Sequence, residues 1–264
     1  MYHNLSAVWK IPSERVRSQF ESDMAPVFAV MGQRAPVRFF FRADDIGIPG
    51  KNFSCLTKMF YHYRTPLNLA VVPSWMTLER WEAFQPMDRQ SPELWCWHQH
   101  GWRHLNHEVQ GKKQEFGPAR SDEQIVQDIL SGRDKLSQIL RDRFTPVFTP
   151  PWNRCDARTL SVLKYHGYQG ISRHWRSLPS SSEELPDFPV RVDLHTRREA
   201  APEAGWKALR KEFAVSAASG VCGVMIHHQR MNAAAFTFLE LLLHTLRNTE
   251  HVQCLHLGDW LRHA

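Results

Sequence analysis

Phe39-Phe40-Phe41-Arg42-Ala43-Asp44-Asp45 runs an aromatic, nearly continuous apolar segment straight into two adjacent carboxylates. A strand buried on both faces requires such a run, and its abrupt polar end marks the carboxyl edge of a parallel sheet. Working outward from this first run, Val37–Arg42, similar short runs recur at Leu67–Val72, Leu94–His98, Val147–Pro150, Gln169–Ser172, Val190–Leu194, Cys222–His227 and Val252–Leu257. Helical patterns fall between them. Ser121–Arg143 opens with the capping-box order Ser-Asp-Glu-Gln and spaces Ile125, Ile129, Leu136, Ile139 and Leu140 along one face. Asp156–His166 stops before Gly167, Trp206–Ala218 precedes Gly220, and Ala233–Arg247 is a further helix. Strands alternating with crossover helices predict an α/β fold, an irregular (β/α) barrel of about seven to eight strand-helix units.

The 264 residues, 42% of them hydrophobic, suffice for one core. Residues 1–36 read as a helical or extended segment packed on a domain spanning 37–264, with Leu178–Pro189 as a Pro- and Ser-rich surface loop. The net charge of +6 favours anionic partners, a phosphate-bearing substrate among them. No basic run interleaved with aromatics lines up a nucleic-acid groove, so nucleic acid is excluded as the main partner. Cys55, Cys96, Cys155, Cys222 and Cys254 are odd in number, lack close pairs and read as reduced core thiols. Met1–Arg17 has no apolar segment behind a basic start, so neither a secretory signal nor a membrane span is predicted and the expected location is cytoplasmic.

In a barrel of this kind, functional side chains gather at the carboxyl ends of strands. Asp44 and Asp45 follow the first strand, His100 and His104 the third, Pro150–Arg154 the fourth, and His227 and His228 the penultimate one. Adjacent side chains leaving a strand diverge, so one carboxylate can ligate a metal while the other acts as a base. A turn cap before Gly47 is the competing use of the pair. His100-Gly101-Trp102-Arg103-His104 sets two imidazoles four residues apart, the spacing of a helical turn, and in a chain with 15 histidines this also arises by chance. Two histidines and a carboxylate complete a three-ligand set that leaves zinc an open position. Thr149-Pro150-Pro151-Trp152-Asn153-Arg154 is either an ordinary Pro-rich turn or one that aims the Trp152 N–H into a pocket. Val224-Met225-Ile226-His227 ends in a histidine that is either a core residue or a general acid.

The order of these clusters resembles the polysaccharide deacetylase family, the NodB-homology group or carbohydrate esterase family four, over about residues 37–260. Arg42-Ala43-Asp44-Asp45 is similar to the family's strand ending in Asp-Asp, and His100-Gly101-Trp102-Arg103-His104 to its His-(Ser/Thr)-x-x-His segment. Thr149-Pro150-Pro151-Trp152-Asn153 matches its Arg-x-Pro-aromatic-Gly segment, and Val224-Met225-Ile226-His227 its Leu-x-Ile-His segment. The resemblance implies a divalent metal, Zn2+ first, on Asp45, His100 and His104, with Asp44 as base, His227 as acid and Asp193 orienting that acid. It implies removal of an N-linked acyl group, acetyl first, from an amino sugar, with phosphate on a nucleotide- or lipid-linked form of that substrate. His98, Trp102, Arg103, His107, Glu108, Arg154 and His228 are the predicted substrate-binding set, with Asn106 and Lys112 beside them. Three departures mark a divergent branch: Ile46 displaces the motif glycine to Gly47, Gly101 replaces Ser/Thr, and Thr149 replaces an arginine for which Arg154 is the stand-in. A deformylase or other small-amide hydrolase with the same site, and a non-catalytic carbohydrate-binding protein, are the alternatives. A two-metal phosphoesterase lacks its second ligand cluster.

Overall fold

The computed structural model describes residues 5–31 and 36–262; the remaining residues of the predicted 1–36 segment, and 263–264, lie outside it. In chain order the elements are α1 (Ser13–Gln19), a π-helix at Phe20–Met24, α2 (Ala25–Ala29), β1 (Val37–Ile46), α3 (Lys51–His62), β2 (Leu67–Val71), α4 (Leu78–Gln90) and β3 (Trp95–His100). There follow α5 (Asp122–Leu140), β4 (Phe144–Thr149), α6 (Ala157–Tyr165), β5 (Gly170–Ile171), β6 (Val190–Asp193) and α7 (Pro202–Ala218). Last come β7 (Val221–Ile226), α8 (Ala233–Arg247), β8 (Val252–Cys254) and α9 (Leu257–Arg262). The strands are hydrogen-bonded in the order β5-β4-β3-β2-β1-β7-β6, with β8 pairing β1. The fold is the predicted α/β type, an irregular (β/α) barrel of parallel strands and crossover helices.

Each predicted strand is present, with shifted edges. The third extends to His100, so a candidate ligand is itself a strand residue. The last stops at Cys254, because Leu257 opens α9 instead. Helices α3 and α4 were not predicted.

The chain divides into two compact units. One comprises Met1–Ala43, Gly50–Leu67 and Arg191–His256. Its core is aromatic: fully buried Trp9 lies 5.1 Å from Phe238 on α8, and Phe28 meets Phe213 edge-on at 5.3 Å. The polar edge of Trp9 is satisfied, since Nε1 donates to the Leu194 carbonyl at 2.6 Å and Asn232 Nδ2 donates to the Trp9 carbonyl at 2.9 Å. Burying such a ring is favourable only when its N–H keeps a partner.

The other unit comprises Asp44–Pro49, Asn68–Val190 and Leu257–Ala264. Its core gathers Phe116, Ile125, Ile129, Phe148, Leu163, Tyr168 and Ile171. The predicted capping box holds α5, with Ser121 Oγ accepting the Gln124 N–H and the Gln124 side chain accepting the Ser121 N–H. Buried Asp88 on α4 accepts from Trp97 Nε1 at 2.8 Å and from Arg143 Nε at 2.9 Å, tying α4 to β3 and to the residue before β4.

All five cysteines are free, and Cys96, Cys155 and Cys222 are buried as predicted. Cys55 is exposed because Phe53, Leu56, Thr57 and Phe60 supply the inner face of α3. Among the described residues no helix is long and apolar enough to cross a membrane.

Candidate metal centre

Strand β1 delivers its two carboxylates differently. Asp44 is 2% exposed, whereas Asp45, the penultimate residue of the strand, takes a left-handed backbone (φ +62°). Aspartate visits that region more readily than most residues because its short polar side chain hydrogen-bonds locally. Asp45 Oδ1 stands 3.3 Å from His100 Nε2 and 3.3 Å from His104 Nε2. One donor atom from each residue lies within 4.8 Å of the others. Donors about 2.0–2.1 Å from a tetrahedral zinc stand about 3.3 Å apart, so the three residues fit such an ion.

The imidazoles are oriented for the task. His100 Nδ1 lies 2.9 Å from the Thr149 carbonyl, which only accepts, so Nδ1 carries a proton and Nε2, facing Asp45, is the atom a cation would take. Burial pushes the His100 pKa down, but the hydrogen bond to Asp45 and the charges of Asp44 and Asp45 outweigh it, and the pKa stands above the usual histidine value. Burial, and then the neighbouring His100 charge, lower His104 to about 4. At neutral pH the cluster therefore offers one neutral imidazole and a carboxylate, with at most one proton, on His100, for a cation to displace.

The spacing of His100 and His104 predicts a helical turn, and here the structure differs: residues 101–105 form a loop. Gly101 has φ +59°, and a Cβ there would stand 2.2 Å from Glu115 Oε2 and 2.6 Å from Pro151 Cγ. This crowding explains why the Ser/Thr of the resembled motif is absent. Fully buried Glu115 accepts the backbone N–H groups of Trp102 at 3.1 Å, Arg103 at 2.7 Å and Leu105 at 3.5 Å. Burial raises the Glu115 pKa against the pull of those three donors. The indoles of Trp75 and Trp152 flank His104, with ring centroids 6.0 and 4.5 Å away. Gly47 allows Trp75 its place, since a Cβ at Gly47 would meet the Trp75 Cβ at 2.8 Å.

The turn after β4 is tight, with Trp152 at φ +56° and Asn153 at φ +59°. The two N–H groups after Trp152 are committed to Pro150 and Pro151 carbonyls. Arg154 Nη1 donates to the Lys113 carbonyl at 3.2 Å. His98 is fully buried, with Nε2 2.9 Å from Thr149 Oγ1, and so braces the residue that holds His100. Glu108 Oε1 accepts the Ala119 N–H, and Asn106 Oδ1 accepts those of Glu108 and Gln114, so these side chains fold the 105–120 loop onto itself. Burial, then the Arg120 charge, lower the His107 pKa.

His227, Asp193 and His228 belong to the first unit. Asp193 accepts the N–H groups of His195 and Thr196, each at 2.9 Å, capping the turn after β6. His195, fully buried, takes the His227 N–H on its Nδ1 at 3.1 Å. Burial, then the charges of His227 and His228, hold the His195 pKa well below the usual value. His228 is buried against Phe53, and its carbonyl accepts from Asn52 Nδ2 at 2.9 Å.

Sequence reading missed Glu115, Thr149 as the partner of His100, and His195. Glu115 sits in the polar stretch Lys112-Lys113-Gln114-Glu115, which carries no local sign of burial, and the other two act through backbone groups.

No family model and no curated protein sequence matches the chain. Solved structures do. A candidate polysaccharide deacetylase from Mycobacterium smegmatis is 13% identical with a TM-score of 0.61, over 80% of this chain and 76% of that one. A family 4 acetyl xylan esterase from Clostridium thermocellum, in complex with a cobalt ion, is 12% identical with a TM-score of 0.54, over 85% and 90%. A CE4 family pseudoenzyme from Bacillus anthracis is 8% identical with a TM-score of 0.54, over 86% and 66%. The chain thus has the fold of the NodB-homology polysaccharide deacetylases, and the resemblance read from its motifs holds at the level of fold.

Proposed function

We propose that this protein is a metal-dependent hydrolase that removes an N-linked acyl group, acetyl first, from an amino sugar. The convergence of Asp45, His100 and His104 carries the reading. Asp45, His100 and His104 would hold a divalent cation, Zn2+ in this proposal, which would act as a Lewis acid and lower the pKa of water. Asp44 takes a proton from the attacking water, whose oxygen bonds to the amide carbonyl carbon. The Trp152 N–H holds the oxyanion that forms. The carbon–nitrogen bond then breaks as His227 donates a proton to the leaving nitrogen, releasing a carboxylate and a free amine. His227 follows the apolar strand β7, the position of the acid in the resembled motif. Asp193 supports it indirectly, through the His195 N–H that it accepts and the His227 N–H that His195 accepts.

Trp102, Arg103, His107, Glu108, Arg154 and His228 complete the proposed substrate set, with His98 acting behind it through Thr149. The substrate is a nucleotide- or lipid-linked amino sugar in the cytoplasm, in line with the net charge of +6. A formamide or another small amide would use the same groups. A pseudoenzyme among proteins of this fold supports a second, non-catalytic carbohydrate-binding reading.

Elemental analysis of the protein beside Asp45→Ala and His104→Ala, coupled to acetate release from N-acetyl amino sugars, separates these. One bound metal lost in both variants, with acetate release abolished by Asp44→Asn, establishes the deacetylase. Metal without acetate moves the acyl group or the sugar; a metal-free protein overturns the reading.

A further inference from the structure

Two cations, Arg103 and Lys135, flank one indole beside the metal-binding loop, and a third, Arg80, is held nearby on the Trp75 carbonyl. The Trp102 backbone is fixed at both ends, its N–H donating to Glu115 and its carbonyl accepting the Ser74 N–H at 3.0 Å. The guanidinium of Arg103, the residue before ligand His104, lies 5.7 Å from the Trp102 ring centroid. From α5, the Lys135 ammonium lies 6.0 Å from the same ring. From the first turn of α4, Arg80 donates Nη1 to the carbonyl of Trp75, the indole flanking His104.

These charges lack a close ion-pair partner among the described residues, although the Glu79 carboxylate next to Arg80 feels its charge. Four arginines of this unit are matched to acids: Arg120 with Asp128, Arg143 with Asp88, Arg158 with Asp156, and Arg173 with Asp187. Among the described residues no carboxylate comes within ion-pair distance of Arg80, Arg103 or Lys135. Burial, and then the positive charge of Arg80, lower the Lys135 pKa, which shows that the two cations feel each other. Like charges held this way by separate elements raise the free energy of the empty site and favour an anion that bridges them.

The geometry points to an anion subsite at Arg103 and Lys135, which takes a phosphoryl group of the substrate while Trp102 offers its ring to the attached sugar. The assignment rests on the proposed deacylase reading for its meaning, since it names the substrate's second recognition point. Guanidinium groups bind phosphate through paired N–H donors, and the lysine adds a point charge.

Phosphate also binds metals, so the test uses protein stripped by chelation, with inorganic phosphate as the probe, by titration calorimetry at low salt. The expected result is saturable one-site binding that weakens about tenfold or more in Arg103→Gln and in Lys135→Gln, both retaining the wild-type melting temperature, and that falls as salt rises. Absence of saturable binding, or binding that both variants leave unchanged, overturns the subsite. A salt-insensitive isotherm unaltered by the variants marks an adventitious ion only. Acetate release from neutral N-acetyl sugars without phosphate binding keeps the deacylase and removes the subsite, whereas phosphate binding without acetate release does the reverse.

Discussion

The Glu115 carboxylate accepts the Arg103 backbone N–H at 2.7 Å, one residue before the metal ligand His104. With the bonds from Trp102 and Leu105, one buried side chain therefore fixes the course of the loop that carries His104.

Replacing that carboxylate removes the anion that accepts three backbone N–H groups of the loop. Glu115→Gln is expected to destabilise the fold by about 1–3 kcal/mol, since bonds to a charged acceptor are weakened and one donor is left facing an amide. Metal affinity should fall about 10- to 100-fold, as for other groups that orient ligands from behind. Competition with a chromophoric chelator measures this, and an unchanged affinity would show that His104 finds its place without Glu115.

Restoring the resembled motif at position 101 should harm the protein. Gly101→Ser puts a Cβ into a left-handed residue and against both Glu115 and Pro151. About 2–4 kcal/mol of stability should be lost, through backbone strain and the displaced carboxylate, with lower metal occupancy. Denaturant unfolding and elemental analysis read the two effects, and a fully stable, fully loaded variant would mean that the 101–105 loop relaxes freely.

The strands were legible because each is a short, nearly continuous apolar run closed by polar or turn residues, as at Phe39–Asp45. Helix α4 was not, because it is polar on most sides and carries Pro86 inside it. Helix α3 shows its apolar positions, Phe53, Leu56 and Phe60, only when counted at helical spacing after a glycine-rich turn. The ligands were legible from residue type and order, but not their geometry. The i, i+4 spacing of His100 and His104 suggested a helix, whereas Gly101 and a carboxylate 11 residues beyond His104 impose a loop. Such long-range hydrogen bonds leave no periodic trace in the chain.

Asp88 offers a control for effects at the metal centre. It is 4% exposed and holds Trp97 Nε1 and the Arg143 guanidinium. Asp88→Ala strands a partly buried cation and an indole N–H, and should cost about 2–4 kcal/mol in urea unfolding. Metal affinity should stay within about twofold of wild type, because effects at sites without shared partners are additive. Loss of metal affinity matching that of Glu115→Gln would mean that both act only by loosening the fold.

His195 gives the protein a calculable pH dependence. Its folded-state pKa lies well below 6.5 because it is buried beside His227 and His228, while in the unfolded chain it titrates near about 6.5. The unfolded state thus binds the extra proton first, so the stability that the neutral, buried ring contributes is complete above about pH 6.5 and is lost as the pH falls below it. The slope should approach about 1.4 kcal/mol per pH unit for this one group. His195→Asn, whose side-chain oxygen can still accept the His227 N–H, should remove that slope while keeping most of the stability at pH 8. Urea unfolding of both proteins from pH 8 to 5 isolates the term as a difference, which cancels other titrating groups. Equal slopes would mean that His195 is protonated in the folded state, and the Nδ1 that accepts from His227 could not then be an acceptor.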